Sequence, residues 1–391
     1  MVAASPSAWL CCQLGAREHY IVPRALQQSG LLRELITDLW VRPGSMLRSM
    51  RSGLAGRFHP SLSSARVSAS NTGALTFALR SYVSGASGWN LISKRNDWFQ
   101  RSVVSQLARD HAPTNLTVFA YSYAAAEIFK VARKRGWRTV LGQIDPGPEE
   151  ERMVAELTPD GNNVAPSGYW EGWRSECDLA DDIVVNSRWS REALLSAGVA
   201  AEKIRVIPLA FEPPAETNSF VRNYPNAFTS ERPDRVLFLG QINVRKGVIP
   251  LLEAAQRMEG NPVEFWFVGP RQLDLPQSDQ VKWFGVAPRG EGSSYYRDAD
   301  VFILPTFSDG FGLTQLEAQS WKLPVIASRK CGDVVTDGFN GLILHHVSAD
   351  AIVNALEQLL RTPETLQMMS NNSRVDDRFS LRSLAASLSS L

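Results

Sequence analysis

A glycine-rich turn between two acids is the segment of this 391-residue sequence whose residue types best suit chemistry. Asp309 precedes the turn Gly310-Phe-Gly312, and Glu317 lies in a predicted helix that begins at Leu313. Such a turn can direct backbone N–H groups and a helix N-terminus at an anion. If the helix begins at the turn, Glu317 lies about two helical turns from Asp309, so the acids can contact different parts of one ligand. The alternative is that Asp309 caps the helix and Glu317 is a solvated acid.

A second candidate anion site is the segment Gln241–Gly247, which follows a predicted buried strand over 235–240. Arg245 and Lys246 stand just before a helix predicted over 248–258. A helix N-terminus attracts negative charge, Arg can bind a phosphate through two N–H groups, and Lys adds a compact charge. The segment is not a P-loop, because it lacks the pattern GxxxxGK[ST]. It predicts a pyrophosphate site, with ordinary surface basic residues as the alternative.

The first half of the chain offers a polar loop after its first predicted strand, residues 8–14. The loop begins at Gly15 and contains Arg17, Glu18 and His19. Ligands of open α/β sheets bind at the carboxyl ends of the strands, where this loop is expected to lie. His19 is therefore a candidate catalytic residue, and a structural hydrogen bond is the alternative role.

Strand and helix patterns alternate throughout the sequence, which predicts an α/β fold of two doubly wound, Rossmann-like domains facing across a cleft. We place the first domain at 1–210 and the second at 234–370. A polar, Pro-rich linker over 211–233 separates them. The leucines of 371–391 predict a C-terminal helix that packs back on the first domain.

Composition excludes several classes of protein. With 41 basic and 40 acidic residues the chain is not an electrostatic nucleic-acid binder. No apolar run approaches the ~18 residues that span a bilayer, and the N-terminus does not predict a secretory signal. The four cysteines show neither CxxC spacing nor a nearby His cluster, so we expect them to be reduced and buried in a cytoplasmic protein without a structural metal site.

Residues 42–101 form a basic stretch with the single acid Asp97. Ser and Gly punctuate it, and apolar residues are interleaved with its basic residues, which are Arg42, Arg48, Arg51, Arg57, Arg66, Arg80, Lys94, Arg95 and Arg101. Two interpretations stay open. One is a mobile insertion with a solvated basic surface; the other is a contact surface for anionic lipid at the inner face of a membrane, or for a phosphate-bearing acceptor.

Several short motifs occur in the order of a known enzyme family. Between 235 and 360 they read LFLGQINVRKG, FWFVGP, FGV, ADVFILPT, DGFGLTQLEA and LPVIAS, and the first half adds DIVVNS and IRVIP. In these motifs the sequence resembles the retaining glycosyltransferases of family 4, which have the GT-B architecture of two facing Rossmann-like domains. Several motifs in register are more specific than any one of them.

The resemblance implies that a nucleotide-sugar donor binds in the second domain without a metal or other cofactor. Arg245 and Lys246 would bind its diphosphate. Gly240 would allow close approach of the backbone, and Gly15 would face the diphosphate from the first domain. The acceptor would be a carbohydrate or a lipid-linked sugar.

The resemblance also assigns contacts to the sugar and the nucleoside. Asp309 would lie by the transferred sugar, Glu317 would hold the ribose hydroxyls, and Gly285 and Val286 would meet the base. The sugar and phosphates would contact backbone groups of Gly310, Phe311, Gly312, Leu313 and Thr314.

The sequence departs from the family pattern at two places. Asp309 stands where the family usually has Glu, so the carboxylate reaches less far by one methylene. The family's central His, expected after the strand at 116–120, is replaced by Tyr121-Ser-Tyr123. His19 and Asp145 are both candidates for that polar role.

The sequence thus predicts a metal-independent, retaining transfer of a sugar from a nucleotide-diphosphate sugar to an acceptor hydroxyl, in polysaccharide or glycolipid biosynthesis. The alternatives are a nucleotide-sugar epimerase of the same architecture and a non-catalytic protein that binds a nucleotide sugar. A requirement for an acceptor separates transferase from epimerase, and turnover separates both from a binding protein.

Overall fold

Two parallel β-sheets, each built from one half of the chain, organise the molecule. The computed structural model describes residues 8–45, 52–109, 115–158, 164–274, 276, 278–287 and 292–391. Arg48 and Arg51 of the basic stretch lie outside these residues. Helices cover both faces of each sheet, so the prediction of two doubly wound, Rossmann-like domains is confirmed.

The N-terminal sheet has seven strands in the spatial order β3-β2-β1-β4-β5-β6-β7. Its strands are β1 Ala8–Gln13, β2 Leu32–Thr37, β3 Val67–Ala69, β4 Leu116–Tyr121, β5 Arg138–Gly142, β6 Asp182–Val185 and β7 Ile204–Val206. Successive residues of β1 enter opposite cores, with Trp9 and Cys11 on one face and Leu10 and Cys12 on the other. A strand buried on both faces needs such a continuous apolar run.

Seven α-helices flank this sheet in the described part of the N-terminal half. They are α1 Ile21–Gln28, α2 Asn71–Val83, α3 Gly88–Leu107, α4 Ala126–Lys134, α5 Pro148–Leu157, α6 Ser167–Leu179 and α7 Arg188–Ser196. The described part of the basic stretch therefore contains β3, α2 and α3 as far as Arg101. Two of its arginines, Arg57 and Arg95, pair with the buried Asp38 just beyond β2.

The C-terminal sheet has six strands in the order β10-β9-β8-β11-β12-β13. The strands are β8 Asp234–Leu239, β9 Val263–Val268, β10 Val281–Trp283, β11 Val301–Leu304, β12 Val325–Ser328 and β13 Gly341–Leu344. The helices of this half are α8 Val248–Arg257, α9 Gly292–Asp298, α10 Thr314–Ser320, α11 Ala349–Arg361, α12 Pro363–Asn372 and α13 Leu381–Ser389. The order reverses between β8 and β11, and ligands of such sheets bind beyond the strand ends at this point.

The connection over 211–233 lies against the C-terminal domain through a buried arginine. Arg222 donates hydrogen bonds to the carbonyl oxygens of Tyr296 at 2.6 Å, of Trp321 at 3.0 Å and of Ala299. A buried guanidinium needs such partners for its N–H groups, and here backbone carbonyls supply them. The segment is thus held by the loops around α9 and α10.

The last helix, α13, returns to the N-terminal domain. Leu384, Ala385 and Leu388 share a core cluster with Ile21 and Ala25 of α1. The segment that leads to α13 also contacts the first connection, because Phe211 N–H donates to the carbonyl of Phe379 at 2.8 Å. The chain therefore passes between the two domains twice, and the two passages are hydrogen-bonded to each other.

Candidate active site

The two basic residues before α8 are held in place by the turn that carries them. Gly247 adopts a left-handed conformation, with φ of 71°, and a Cβ there would overlap the carbonyl of Pro305. A glycine is therefore required for this turn to lie directly on the end of β11. The carbonyl of Arg245 accepts from Phe307 N–H at 2.9 Å, which fixes the turn against the loop that follows β11.

Lys246 and Asp309 form an ion pair at the carboxyl end of the C-terminal sheet. The Lys246 and Asp309 side chains are 12% and 17% exposed. Burial raises the pKa of Asp309, but the positive charges of Lys246 and Arg245 outweigh it and hold that pKa below its usual value. Asp309 does not cap α10, because that helix begins at Thr314 and its N-cap position, Leu313, has no side-chain cap. The structure thus joins three of the predicted catalytic residues in one cluster.

Arg245 links this cluster to the N-terminal domain. Its Nη1 donates to the carbonyl of Ser308 at 2.7 Å and lies 3.4 Å from Glu150 Oε2. Ser308 Oγ donates to the same Glu150 oxygen at 2.7 Å, and Trp189 Nε1 donates to Ser308 Oγ at 3.0 Å. Glu150 lies in α5 and Trp189 in α7, so this network spans the cleft. Burial raises the pKa of Glu150 to about 7, although Arg245 opposes the rise.

The glycine-rich turn itself touches the N-terminal domain. A Cβ on Gly310 would lie 3.3 Å from the carbonyl carbon of Ile144 and 3.4 Å from Cα of Asp145, and closer still to the Ile144 oxygen. Ser190 Oγ donates to the Gly310 carbonyl at 3.4 Å. The absence of a side chain at Gly310 thus allows the backbones of the two domains to meet.

The rest of this turn is tied down within the C-terminal domain. Phe311 is 3% exposed, so its side chain belongs to the core and only its backbone can face a ligand. Its carbonyl accepts from Gly332 N–H at 2.7 Å, and its N–H donates to Asp309 at 3.4 Å. Gly312 has φ of 76°, and Leu313 and Thr314, both half-buried, lead into α10.

Glu317 occupies a separate position from the Lys246–Asp309 pair. It accepts a hydrogen bond from the buried Tyr296 hydroxyl at 2.6 Å, and burial raises its pKa. Because residues 309–313 precede α10, Asp309 and Glu317 are not two turns apart on one helix, as the sequence had suggested. Both acids still follow β11 in the chain.

Gly240, Gly285 and Val286 lie beyond the carboxyl ends of β8 and β10. Gly269 connects them: its N–H donates to the Gly285 carbonyl at 2.7 Å, and a Cβ on it would overlap the Gly240 carbonyl. Val286 is 64% exposed. These residues form the open edge of the C-terminal domain next to the Lys246 turn.

In the N-terminal domain, Gly15 and His19 follow β1. Gly15 N–H donates to Asp38 Oδ1 at 2.9 Å, and Arg57 Nη1 lies 3.1 Å from the same oxygen. His19 is the middle of three consecutive residues with positive φ, at 46°, 54° and 61° for Glu18, His19 and Tyr20. Such conformations are costly for residues other than glycine and are found most often at functional sites. The His19 carbonyl accepts from Arg24 at 3.5 Å.

The two tyrosines that stand in place of the expected His bind acids. Tyr121 Oη donates to Glu18 at 2.9 Å, and Tyr123 Oη donates to Asp145 Oδ1 at 2.5 Å. Burial is the main reason why the pKa values of both tyrosines lie well above the usual range, so both stay protonated donors. Asp145 therefore lies beyond β5 opposite Gly310, whereas His19 lies beyond β1.

Three acids near the cleft were not identified from the sequence: Asp38, Glu150 and Glu176. Glu176 accepts from the backbone N–H groups of Tyr123 at 2.6 Å and Ala125 at 2.7 Å, at the start of α4. Burial nevertheless raises its pKa to about 7. Each of these acids follows or faces the end of a strand, which is the signal that could have drawn attention to them. Within the described residues no group of His, Cys, Asp and Glu is arranged to hold a metal ion.

Residues 222–376 match the model of the family "Glycosyl transferases group 1". The matched segment contains Arg245, Lys246, Asp309 and Glu317, and its first residue is the buried Arg222. This segment is similar to group 1 glycosyltransferase domains.

Curated proteins that are similar to this chain include named glycosyltransferases. D-inositol 3-phosphate glycosyltransferase of Paenarthrobacter aurescens is 29% identical over 231 residues, which cover 54% of this chain and 56% of the relative. An amylovoran biosynthesis glycosyltransferase of Erwinia amylovora is 26% identical over 192 residues, 44% of this chain and 46% of the relative. The chain thus spans about half the length of the curated relatives it matches.

Solved structures resemble the whole chain and show that its fold is GT-B. Sucrose-phosphate synthase from Thermosynechococcus elongatus has a TM-score of 0.69 at 18% identity and covers 98% of both chains. Anabaena HepE in complex with UDP and glucose has a TM-score of 0.62 at 15% identity and covers 98% of this chain and 100% of that one. The matched segment therefore lies in one half of a GT-B pair of Rossmann-like domains.

Proposed function

We propose that this protein is a retaining glycosyltransferase of the family 4 type, which moves a sugar from a nucleotide-diphosphate sugar to an acceptor hydroxyl in polysaccharide or glycolipid biosynthesis. The observation that carries the proposal is the cluster of Lys246, Arg245 and Asp309 at the N-terminal end of α8. Two cations meet one partly buried carboxylate there, beside the helix end that attracts anions.

The cluster has the charges that departure of a diphosphate requires. As the glycosidic bond breaks, negative charge grows on the leaving phosphate, and preorganised cations stabilise it better than water does. Lys246 and Arg245 would contact that phosphate. Asp309, released from Lys246, would face the sugar. We expect these two cations to act without a metal ion, so that a chelator leaves turnover unchanged.

Retention of configuration follows if the acceptor attacks from the face that the diphosphate leaves. Asp309 is the carboxylate proposed to face the sugar, and the positive charges of Lys246 and Arg245 hold its pKa below the usual value, which makes it a weak nucleophile. We therefore favour a same-face attack in which the leaving phosphate takes the acceptor proton. Proton NMR of the first product formed, before any mutarotation, measures the anomeric outcome.

The nucleoside would lie along the open edge of the C-terminal domain. Glu317 would exchange its bond with Tyr296 for the ribose hydroxyls, and the backbone of Gly285 and Val286 would meet the base. UDP is the first nucleotide to test, because the HepE structures contain UDP and UDP-glucose.

Thermal unfolding with UDP, GDP, ADP and TDP, each with and without magnesium, tests the donor site. A ligand that binds only the folded state raises the melting temperature. We expect one diphosphate to do so without metal and Lys246→Ala to abolish the shift. If no diphosphate shifts the wild-type protein, the donor site proposed here is wrong. Product formation only with an acceptor present then distinguishes transfer from epimerisation.

We also propose that α2 contacts an anionic membrane surface on the cytoplasmic side. Its thirteen residues include no buried side chain, and Leu75, Leu79, Tyr82 and Val83 form one exposed apolar stripe, with Arg80 beside it. Such a helix can lie in a bilayer interface. None of the helices in the described part of the chain is long and apolar enough to cross a membrane.

Sedimentation with vesicles tests this contact. Binding to vesicles of phosphatidylglycerol and phosphatidylcholine, but not to phosphatidylcholine alone, is the expected result. Leu79→Glu should abolish binding. Val221→Glu, at a side chain that is 72% exposed in the connection between the domains, is the matched control. Equal loss with both variants would contradict the proposal.

A further inference from the structure

A cavity of about 220 Å³ lies beside the cluster, wholly within the N-terminal domain. Its wall comes from the residues that follow β4 and β5, from α5 and α6, and from Trp89 at the start of α3. Glu150 belongs to this wall and also accepts from Ser308 of the C-terminal domain. The cavity therefore adjoins the proposed donor phosphate site through Glu150.

One side of the cavity is aromatic. Tyr123 and Tyr169 are stacked, with ring centroids 4.7 Å apart and an interplanar angle of 19°. Trp89 meets Tyr169 edge-on at 4.9 Å, and Trp170 does so at 5.3 Å. Rigid aromatic faces offer a large apolar contact area with few rotamers to fix, and the C–H face of a sugar ring is a suitable partner for them.

The polar side of the cavity is acidic. Asp145, Glu150 and Glu151 line it, and none of the described lining residues is Lys, Arg or His. Both carboxylate oxygens of Glu151 already accept hydrogen bonds within the domain, one from Ala165 N–H at 2.5 Å and the other from Trp170 Nε1 at 2.6 Å. Asp145 uses Oδ1, which accepts from the Tyr123 hydroxyl and Gly147 N–H, and Glu150 uses Oε2, which accepts from Ser308 Oγ and faces Arg245. Their second oxygens have no donor among the described residues and are suited to accept from sugar hydroxyls.

We propose that this cavity binds the acceptor, and that the acceptor's terminal group is a sugar ring without phosphate or carboxylate. The inference rests on the proposed transferase function and narrows its substrate class. A phosphate in the cavity would lie close to Asp145 and Glu151 in a partly buried site, and like charges repel strongly there. Arg245 lies outside the described wall and already contacts Glu150 and the Ser308 carbonyl. The aromatic side and the hydroxyl-accepting oxygens both favour a neutral ring.

Saturation-transfer NMR with matched sugars tests the proposal. The panel consists of the methyl glycosides of glucose, galactose, mannose and N-acetylglucosamine and their 6-phosphates, each with UDP present. We expect at least one neutral glycoside to bind at least about tenfold more tightly than its phosphate. Equal or tighter binding of the phosphates, or binding of no neutral member, would overturn the proposal.

Two variants locate the binding within the cavity. Ala155→Arg places a cation on the exposed wall formed by α5, and Ala155→Gln is the matched uncharged control. Ala155→Arg should improve binding of the sugar phosphate by about tenfold, whereas Ala155→Gln should not. Tyr169→Leu should weaken binding of the neutral sugar. Phe339→Ala, at an exposed aromatic residue of the C-terminal domain, should leave that binding unchanged. Unchanged binding in both Ala155→Arg and Tyr169→Leu would place the acceptor elsewhere.

A failure of this inference can be told apart from a failure of the proposed function. Thermal stabilisation by a nucleotide diphosphate reports on the proposed donor site and does not require the cavity to be occupied. If UDP stabilises the protein but the sugar phosphates bind more tightly than the neutral glycosides, the inference about the acceptor is wrong and the proposed transferase function stands.

Discussion

Gly310→Ala is the substitution that most directly tests whether the two domains must meet for transfer. A Cβ at this position meets the Ile144 carbonyl and lies 3.4 Å from Cα of Asp145, and both partners are backbone atoms that cannot rotate away. Gly310 has an ordinary φ, so alanine adds no strain within its own turn. The clash therefore falls between the domains and not within either of them.

The size of the effect follows from the geometry. To relieve the overlap, the backbones must separate locally by roughly 1 Å, and a misplacement of that size can lower a reaction rate by ~100-fold. The donor is proposed to bind the C-terminal domain, so affinity for the nucleotide diphosphate should change by less than about twofold. The expected signature is a large fall in turnover with little change in donor affinity.

Steady-state transfer and calorimetric titration of UDP measure these two quantities. Gly172→Ala is the matched control, because Gly172 is exposed on α6 with no atom within 4 Å of the added Cβ. Small-angle scattering should show a larger radius of gyration for Gly310→Ala only. If Gly310→Ala transfers sugar at the wild-type rate, the contact between Gly310 and Ile144 is not part of the reactive arrangement.

Three further outcomes are expected. Lys246→Ala removes the ion-pair partner of Asp309 and should lower turnover by about tenfold or more, whereas Lys246→Arg should retain more of the turnover. Equal rates in the wild type and Lys246→Ala would remove Lys246 from the mechanism. Burial raises the pKa of Glu150 from 4.5 to about 7, so the folded protein keeps a proton that the unfolded chain releases, and stability should fall as pH rises between those values. Glu150→Gln should reduce that fall in urea unfolding at about pH 5 and about pH 8, and an identical fall would contradict the assignment. Gly172→Ala should raise the free energy of unfolding by about 0.5–1 kcal/mol, because alanine suits a helix interior better than glycine; a lower melting temperature would show a contact at that position.

The sheet strands were predictable where they are apolar throughout. Leu116–Tyr121 and Val301–Leu304 are buried along their whole length, and such strands leave a continuous apolar run in the sequence. Leu32–Thr37 was missed because Arg33, Glu34 and Thr37 interrupt the run. Glu34 is buried there because Arg66 and Ser68 bind it, and that pairing depends on tertiary contacts.

The helices of the basic stretch were missed for a related reason. α2 buries no side chain, so its apolar residues do not mark a core-facing stripe, and Ser and Gly surround it. The start of α10 was predicted to within one residue, since the glycine turn marks it. The interpretation of Asp309 as a cap was wrong because Lys246, from a distant loop, pairs with it.

The site was predictable to the extent that residue types determine it. Arg245, Lys246 and Asp309 were singled out for their chemistry, and the fold brings them together. Their roles in catalysis stay predictions. Glu150 could not be found in this way, because 158 residues separate it from Ser308 and only the packing of one domain on the other joins them. Glu150 is one of three consecutive glutamates in the first turn of α5, and such a run gives no local indication of a distant partner.

The double passage of the chain between the domains has a consequence for how the molecule can open. A single connection would allow the two domains to rotate about any axis, whereas two connections that are hydrogen-bonded to each other act as one hinge. The backbone hydrogen bond between Phe211 and Phe379 lies at that hinge. Opening is then confined to rotation about one axis, as in hinge-type domain closure. Each cycle of opening therefore returns Gly310 to the same place on the opposite domain, and a protease cut in either connection alone would leave the two halves attached.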